Sequence, residues 1–451
     1  MRIGGMKMRL SSEMKTPPLL SSLLLAIAVT AFAMPASASV LVLEGGTVHP
    51  VSGPAFVGHV VIEHGRIVAA GSDAAPPAGA ERLDVTGLHV YPGLFDTLTT
   101  LGLVEINSLG DTVDTTELGE FNAHLMAAQA IHPASEVIGV TRANGTTHVI
   151  AAPQTDGVIA GQAALIHLDG WTVEEMAIDP AVAMVVEWPE IQTRSFDFAT
   201  FSIKETPFND AKEKAEEKQE ELRDWLDAAR HYAQAASAEG GRAERDLKLE
   251  ALARVLAGDQ QVLVLAQRKR DLEAAIEFAE KEGLEIILAG ARDAWKIKDL
   301  LAEKDVPVIL GLVQSLPAEE DDPYDTPFRT AGELTGAGVR VAFATGAGGG
   351  FGPGGPHGAR NLPYEVATAM ANGLSEEEAL KALTLWPAEI FGVADHLGSI
   401  EPGKIANLIV TDGSPLEITT QVRHLIISGQ EVTTDNRHRR LYKKHRARPL
   451  P

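Results

Sequence analysis

The sequence predicts an α/β protein, a (β/α)8 TIM-like barrel carrying a small composite β-sandwich built from both chain ends. Three observations predict it. Short β-rich segments separated by Gly and Pro turns lie at both ends of the 451-residue chain. Between them, continuous apolar runs alternate with amphipathic helical stretches, the pattern of a buried parallel sheet. The middle region offers eight strand candidates, which favours a closed barrel over an open sheet.

The first element, residues 1–38, reads as a secretory signal peptide. Arg2, Lys7, Arg9 and Lys15 precede an apolar run from Leu19 to Met34, and Ala36-Ser37-Ala38 forms an A-x-A cleavage site. Cleavage after Ala38 predicts a periplasmic or secreted protein with no stable membrane span, because the run is short for one. Its loss takes the formal net charge from −23 to near −26. Such acidity argues against nucleic acid as a partner, and its simplest role is solubility. The chain has no cysteine, so export involves neither disulfide nor thiol chemistry.

Residues 39–91 and 400–436 supply the sandwich. In the first segment "FVGHVVIEHGRIVAAGS" predicts a hairpin turning at His64-Gly65. In the second, strands are predicted at Leu408–Val410 and Val422–Ile427. Neither end has enough strands for a stable sheet alone, so the two must pair.

Residues 92–399 supply the barrel. One strand enters at Leu88–Phe95, followed by candidates at Thr147–Ala152, Ala163–Leu168, Val182–Glu187, Gln261–Ala266, Leu284–Ala289, Val306–Gly311 and Val339–Ala344. All are expected to be parallel, joined by right-handed crossovers. The helix in "DLEAAIEFAEKEG" is expected to start on Asp271 as N-cap and stop at Gly283, and Ser375 with Glu378 forms a capping box. A charged helical insertion spans about 204–250; Trp225, Ala229, Tyr232 and Ala236 share one stripe, expected to pack on the host domain. Residues 437–451 form a basic tail that either clamps the acidic body or remains solvated.

With these pieces placed, the sequence resembles the amidohydrolase superfamily, in its imidazolonepropionase-like branch. The resemblance rests on Tyr91-Pro92-Gly93-Leu94-Phe95-Asp96, on "TRANGTTHVIAAP", "GVIAGQAALIHLDGW" and "LPAEEDDPYD", and above all on "ALKALTLWPAEIFGVADHLGSIEPGKIANLIVTDGSPLEI". It implies the barrel-plus-sandwich architecture and hydrolysis of non-peptide C–N bonds, as in cyclic amides. Members of this family use zinc or another divalent metal, held by a His-x-His after the first strand and by histidines after the fifth and sixth. An aspartate after the eighth strand takes a proton from the metal-bound water.

This sequence departs from that pattern at each position. Leu98 and Thr100 occupy the two His-x-His places, Leu265 the fifth-strand place, and Gly346 that of the aspartate; no histidine lies near Gly290. The nearest two of the 14 histidines, His59 and His64, are five residues apart, so no His-x-His or HExxH exists. No metal cofactor is therefore expected. A nonstandard set drawn from Glu105, Asp111, Asp114, His132 and His357 is the alternative. His124, His132, His148 and His167 read as ordinary surface or core residues.

Other chemistries are weak. "GFGPGG" at 350–355 matches G-x-G-x-x-G by letter, but Pro353 interrupts it and no helix opens directly on it. The stretch "TGAGGGFGPGGPHGARN" reads better as a lid over the barrel mouth. Polar residues expected at that mouth, as a substrate-binding set, are Thr100, Glu105, Gln154, Gln162, Arg268, His357, Arg360 and Asn361, with Thr97 and Thr99 nearby. Arg268-Lys269-Arg270 offers a partner to an anionic ligand, or else is a solvated charge run.

Three functional readings follow. One is an amidohydrolase-type hydrolase whose activity is reduced, metal-independent or lost. A second is a non-catalytic barrel that binds a small molecule, forms a homo-oligomer, or pairs with a metal-bearing homologous amidohydrolase. A third is a structural or carrier protein.

Overall fold

The front of the chain folds into β1 (Leu41–Val48), β2 (Phe56–Glu63), β3 (Arg66–Gly71), β4 (Glu81–Asp84) and β5 (His89–Pro92). His64 and Gly65 join β2 to β3 with φ of 51° and 78°, the pair of positive values that a tight hairpin turn demands. The computed structural model describes residues 40–155, 157–197, 200–238, 244–347 and 355–449. The predicted signal peptide, its cleavage site, and residues 348–354 of the predicted lid and G-x-G-x-x-G match lie outside them.

The barrel follows. β6 (Leu94–Thr99), α1 (Glu136–Arg142), β7 (Thr146–Ala151), β8 (Ile159–His167), α2 (Val173–Met176) and β9 (Ala177–Glu187) form its first half. A hairpin of β10 (Arg194–Asp197) and β11 (Ser202–Glu205) leads into α3 (Phe208–Ser237) and α4 (Leu247–Leu256). The second half runs β12 (Gln261–Ala266), α5 (Lys269–Glu282), β13 (Ile286–Gly290), α6 (Lys298–Glu303), β14 (Val308–Leu310), α7 (Thr326–Gly336) and β15 (Val341–Phe343). Helices α8 (Leu362–Met370), α9 (Glu376–Ala382) and α10 (Leu385–Ile390) lead back to β16 (Leu408–Thr411), β17 (Val422–Ile427), β18 (Gln430–Val432) and α11 (Arg437–Arg446).

Both chain ends share one sheet in the order β18-β17-β16-β5-β1-β2-β3. The join is β16 against β5, antiparallel, with Leu408 opposite Pro92 and Thr411 opposite His89. β1 serves two parallel partners, β4 along Leu41–Glu44 and β5 at Thr47–Val48, on either side of a register shift between Glu44 and Gly46. Ser39–Pro451 forms one compact unit. No helix of the described residues is long and apolar enough to cross a membrane.

The second sheet is the TIM-like barrel, in the order β15-β14-β13-β12-β9-β8-β7-β6. Strand alternation separates its two faces. Phe95, Ile150, Leu165, Val185, Leu263, Ile287, Ile309 and Ala342 pack inside the barrel. Val149, Ile166, Val186, Val264, Leu288, Val308 and Val341 pack outward against the helices. Between β6 and β15 the seam is bridged by individual bonds. Thr97 Oγ1 donates to Phe343 O at 2.8 Å, and Gly346 N donates to Leu98 O at 2.8 Å.

One strand departs from the expected all-parallel sheet. β8 runs antiparallel to both β7 and β9. Its connections explain why: β7 ends at Ala151 and β8 starts at Ile159, and α2 has four residues, whereas a parallel return needs a dozen or more residues of crossover.

Two helix expectations also change. Asp271 is not the N-cap of α5: the helix starts at Lys269, Arg268 sits at the cap position, and Asp271 is buried in the first turn. The cap bond comes from a neighbouring loop, where Asp293 Oδ2 accepts from Lys269 N at 3.0 Å. The stripe on α3 is Ala211, Ala215, Leu222, Leu226 and Ala229, with Trp225 packed beside it; Tyr232 is half-buried and Ala236 exposed. The 204–250 stretch, expected as an insertion, provides the connection between β9 and β12. The capping box at Ser375 and Glu378 forms as expected.

The basic tail folds as α11, which buries no residue. Both Glu136 oxygens accept from Arg440 Nη2 at 2.9 Å, and Lys443 pairs with Asp435 at 3.2 Å. These ion pairs are about half exposed or more and contribute on the order of 0–1 kcal/mol each.

At the join between sheet and barrel, Gly93 N donates to Asn407 O at 2.8 Å. A Cβ on Gly93 would lie 2.0 Å from Thr147 Oγ1 and 2.4 Å from its Cγ2. Gly93→Ala is therefore expected to destabilise the protein by roughly 1–3 kcal/mol, as overpacking does. Chemical denaturation measures it, and a variant as stable as the parent contradicts the packing described.

Candidate functional site

In the barrel, the parallel strands all end on the same side, at Thr99, Ala151, Glu187, Ala266, Gly290, Leu310 and Phe343. That end is where side chains can converge on a ligand. Its floor is apolar: Leu98, Ala152, Ala289, Ala344 and Ala347 are buried there, with Leu265 packed against them.

The positions expected to hold metal ligands do not fit a metal. Leu98 is 4 % exposed and Thr100 8 %, and Leu265 adds an aliphatic wall rather than a donor. At Gly346 a Cβ would sit 2.7 Å from Leu98 O and 3.0 Å from Thr99 Cα, so this position has no room for an aspartate side chain. Above Gly290 the space is filled by Gln267, whose Nε2 would lie 2.2 Å from a Cβ. Among the described residues, no group of three or more His, Cys, Asp and Glu side chains is placed to hold a metal ion.

Several of the predicted mouth residues are engaged elsewhere. Glu105 accepts from Ser135 Oγ at 2.5 Å and from Glu136 N at 3.3 Å, tying the loop after β6 to the start of α1. Gln162 shares the alternation of Ala164 and Ile166 and so lies on the outer face of the barrel wall. There its Nε2 donates to Ala123 O at 3.0 Å and its Oε1 accepts from Gln260 at 3.2 Å; its place in the pleat turns it away from the barrel interior. Arg268 pairs with Glu319 at 2.5 Å. Gln154 is exposed, its backbone N–H bonded to Thr115 O at 2.7 Å.

His357, Arg360 and Asn361 lie in and beside the 3-10 turn Pro356–Asn361, with His357 and Asn361 exposed. Arg360 Nη1 donates to His438 Nδ1 of the tail at 2.7 Å, and its carbonyl accepts from Asn144 Nδ2 at 2.5 Å. Of the predicted set, Thr100 is thus built into the end of the first barrel strand, while Glu105, Gln162 and Arg268 serve the scaffold.

His148 and His167 lie across from each other on β7 and β8, buried. Desolvation holds both imidazoles neutral, with pKa values lowered to about 3 and about 4. His167 is bonded to Asn407 and Ser428 at 3.0 and 3.1 Å, which makes it a core residue as expected. His148 Nε2 has no partner among the described residues.

Two carboxyls matter that the sequence reading passed over. Asp96 is fully buried and receives Thr345 N at 3.0 Å, Thr345 Oγ1 at 2.5 Å and Leu98 N at 3.5 Å. Desolvation dominates these bonds and pushes its pKa up to about 7. Glu187 closes β9 with the inward alternation of Ala183 and Val185. It is accessible at the mouth, yet the surrounding walls remove much of its hydration. That desolvation, with the Glu190 carboxylate second, pushes its pKa up to about 7 as well. Glu190 itself accepts from Gln267 N at 2.8 Å. Thr99 Oγ1, at the end of the first barrel strand, and Gln267 Oε1, one residue past the fifth, are buried without a partner among the described residues. The available signal for Glu187 was one charge closing the otherwise apolar run "AVAMVVE", in step with its inward positions.

Comparison with known proteins adds three findings. The model of the amidohydrolase family matches residues 326–434. A deaminase of 5-methylthioadenosine and S-adenosylhomocysteine from Symbiobacterium thermophilum is 53 % identical over 62 residues, 13 % of this chain; the match spans 14 % of that relative's length. Among solved structures, an amidohydrolase from Thermotoga maritima MSB8 superposes with a TM-score of 0.75 at 26 % identity, covering 87 % of this chain and 99 % of that one. An adenosine deaminase from Xanthomonas campestris with bound zinc shares the fold at a TM-score of 0.50 and 18 % identity, covering 90 % and 97 %.

Asp96 carries a pH prediction. Its folded-state pKa lies above the ordinary 3.8, so from about pH 4 to 7 the folded protein keeps a proton that the unfolded chain releases. This stabilises the fold at low pH, and the contribution is lost as pH rises through that window. The melting temperature of the parent relative to Asp96→Asn should therefore fall as pH rises from 4 to 7 and level off above. A difference that is flat across this range would show that Asp96 does not hold the proton.

Proposed function

Because the chain belongs to the amidohydrolase superfamily, we propose that its barrel mouth is a small-molecule binding site that has given up the superfamily's metal-assisted hydrolysis. The observation that carries this is the packing of Gly346 against Leu98 O. Where a proton-accepting aspartate would stand, two backbone segments touch. Leu98 extends the apolar floor beneath it. Loss of a metal-activated hydroxide removes on the order of several kcal/mol of barrier lowering.

A second reading is favoured by Glu187. A carboxyl with a pKa near 7 in a barrel mouth suits general acid–base work. It could activate water directly for slow, metal-independent hydrolysis of a C–N bond in a cyclic amide. The deaminase names of two similar proteins fit C–N chemistry in the ancestry. In either reading we place the mature protein in the periplasm or outside the cell. Its proposed protein partners are a second copy of itself or a homologous amidohydrolase that keeps the metal-binding histidines.

Protein produced with zinc, manganese and iron supplied is expected to hold far less than one metal per chain by elemental analysis. It should show no turnover of cyclic amides or dipeptides above background, and a library of small molecules should contain compounds that raise its melting temperature. A full equivalent of tightly held metal with turnover overturns the binding reading. Turnover without metal that disappears in Glu187→Gln establishes the second.

A further inference from the structure

We propose that the barrel mouth selects a small monocation, an amine, amidine or guanidine on an apolar body, with Glu187 as its counter-ion. The inference rests on the binding reading above and names the ligand class for that same site.

The geometry points to a cation because the Glu187 carboxyl is left without a counter-charge among the described residues. Three cations in the segments after the fifth and sixth strands already have anionic partners, and Arg292 donates to the Leu316 and Pro317 carbonyls. Arg268 is paired with Glu319 at 2.5 Å, Arg270 with Asp271 at 3.4 Å, and Lys296 with both Asp293 and Asp322 at 2.9 Å. Glu190 is occupied by the backbone N–H of Gln267. Among the described residues, the Glu187 carboxyl has neither a hydrogen-bond donor nor a basic side chain within reach, and it faces inward over the mouth. With no cation opposite it, desolvation and Glu190 act on it unopposed and raise its pKa.

The rest of the mouth decides what the cation is attached to. Leu98, Leu265, Ala289, Ala344 and Ala347 form an apolar floor, which accepts an aliphatic or aromatic body. Gln267, two residues past the Leu265 that pairs with Glu187, keeps its Oε1 buried without a partner among the described residues. A neutral ligand would cover Glu187 and leave it desolvated without compensation, and an anion would add like-charge repulsion. The net charge of −23 draws cations toward the protein as a whole.

Benzamidine, benzamide and benzoate, which share a ring and differ in charge, test the proposal by calorimetric titration of the full-length mature protein. Benzamidine is expected to bind at least tenfold more tightly than benzamide, with no detectable binding of benzoate. Glu187→Gln should bring benzamidine down to the level of benzamide while leaving benzamide unchanged, and Glu187→Asp should keep a preference for the cation. A melting curve for each variant reports folding. Equal or tighter binding of benzamide or benzoate overturns the proposal, as does a benzamidine preference that survives Glu187→Gln. If none of the three binds but neutral library compounds raise the melting temperature, the cation proposal fails and the binding reading stands. If nothing from the library binds either, both fail.

Discussion

The barrel depends on how its first strand meets its last. β15 has only three residues, and the join to β6 is made at single points: Thr97 to the carbonyl of Phe343, Thr345 to Asp96, and Gly346 N–H to the carbonyl of Leu98. The central member is a carboxyl with no access to water. Burying a bare carboxylate costs several kcal/mol, and Asp96 tolerates its place by accepting an N–H and an O–H from Thr345 and by holding a proton up to about pH 7. The close approach that this seam requires also fixes what cannot be there. With Gly346 against Leu98 O, closure of the barrel and the loss of an acidic side chain at the eighth strand are one structural fact.

This seam determines the chemistry of the mouth. In a barrel, the side chains that reach the ligand are the inward-facing ones at the strand ends. Here those are Leu98, Ala152, Glu187, Leu265, Ala289 and Ala344. Five of the six are aliphatic, and the sixth is the one charged side chain among them. An isolated carboxyl above an apolar floor has a much stronger preference for a counter-charge than one in water, because the surrounding dielectric screens it less. The same Glu187 on an exposed loop would carry no comparable preference.

Much of the fold was legible because buried strands in a barrel are continuous apolar runs, and "HVIAA", "VLVLA" and "IILAG" read as such whatever surrounds them. Direction was not in those runs. β8 is as apolar as its neighbours, and only the short connections on either side betray that it turns back. A separate error touched the site: Gln162, expected at the mouth, falls in the outward step of the pleat, with Gln260 as its partner. That the family's ligand positions carry no donor side chains here was legible, since residue types can be read from letters. Glu187 was missed because a charge closing an apolar run looks like the end of a strand. Only its alternation with Ala183 and Val185, together with the barrel around it, makes it a mouth residue. Asp96 was read as part of a motif, and its role in closing the seam depends on Thr345, which is distant in sequence.

The tail shows how Glu105, expected to bind ligand, and its neighbour Glu136 are committed to architecture. Glu105 ties the loop after β6 to Ser135 and the backbone of Glu136, and the Glu136 carboxylate in turn holds Arg440 of α11. On the same face His438 meets Arg360, which belongs to the turn that follows the eighth strand. A basic helix in an acidic protein is thus docked on the two elements that flank the seam, α1 and the Pro356–Asn361 turn. Because α11 buries nothing, its docking is almost wholly electrostatic and must weaken as salt screens it. The tail therefore lends α1 and the Pro356–Asn361 turn only light support, and the seam rests on its own bonds. That is consistent with its being built from buried bonds to backbone and to a protonated Asp96 rather than from surface charge.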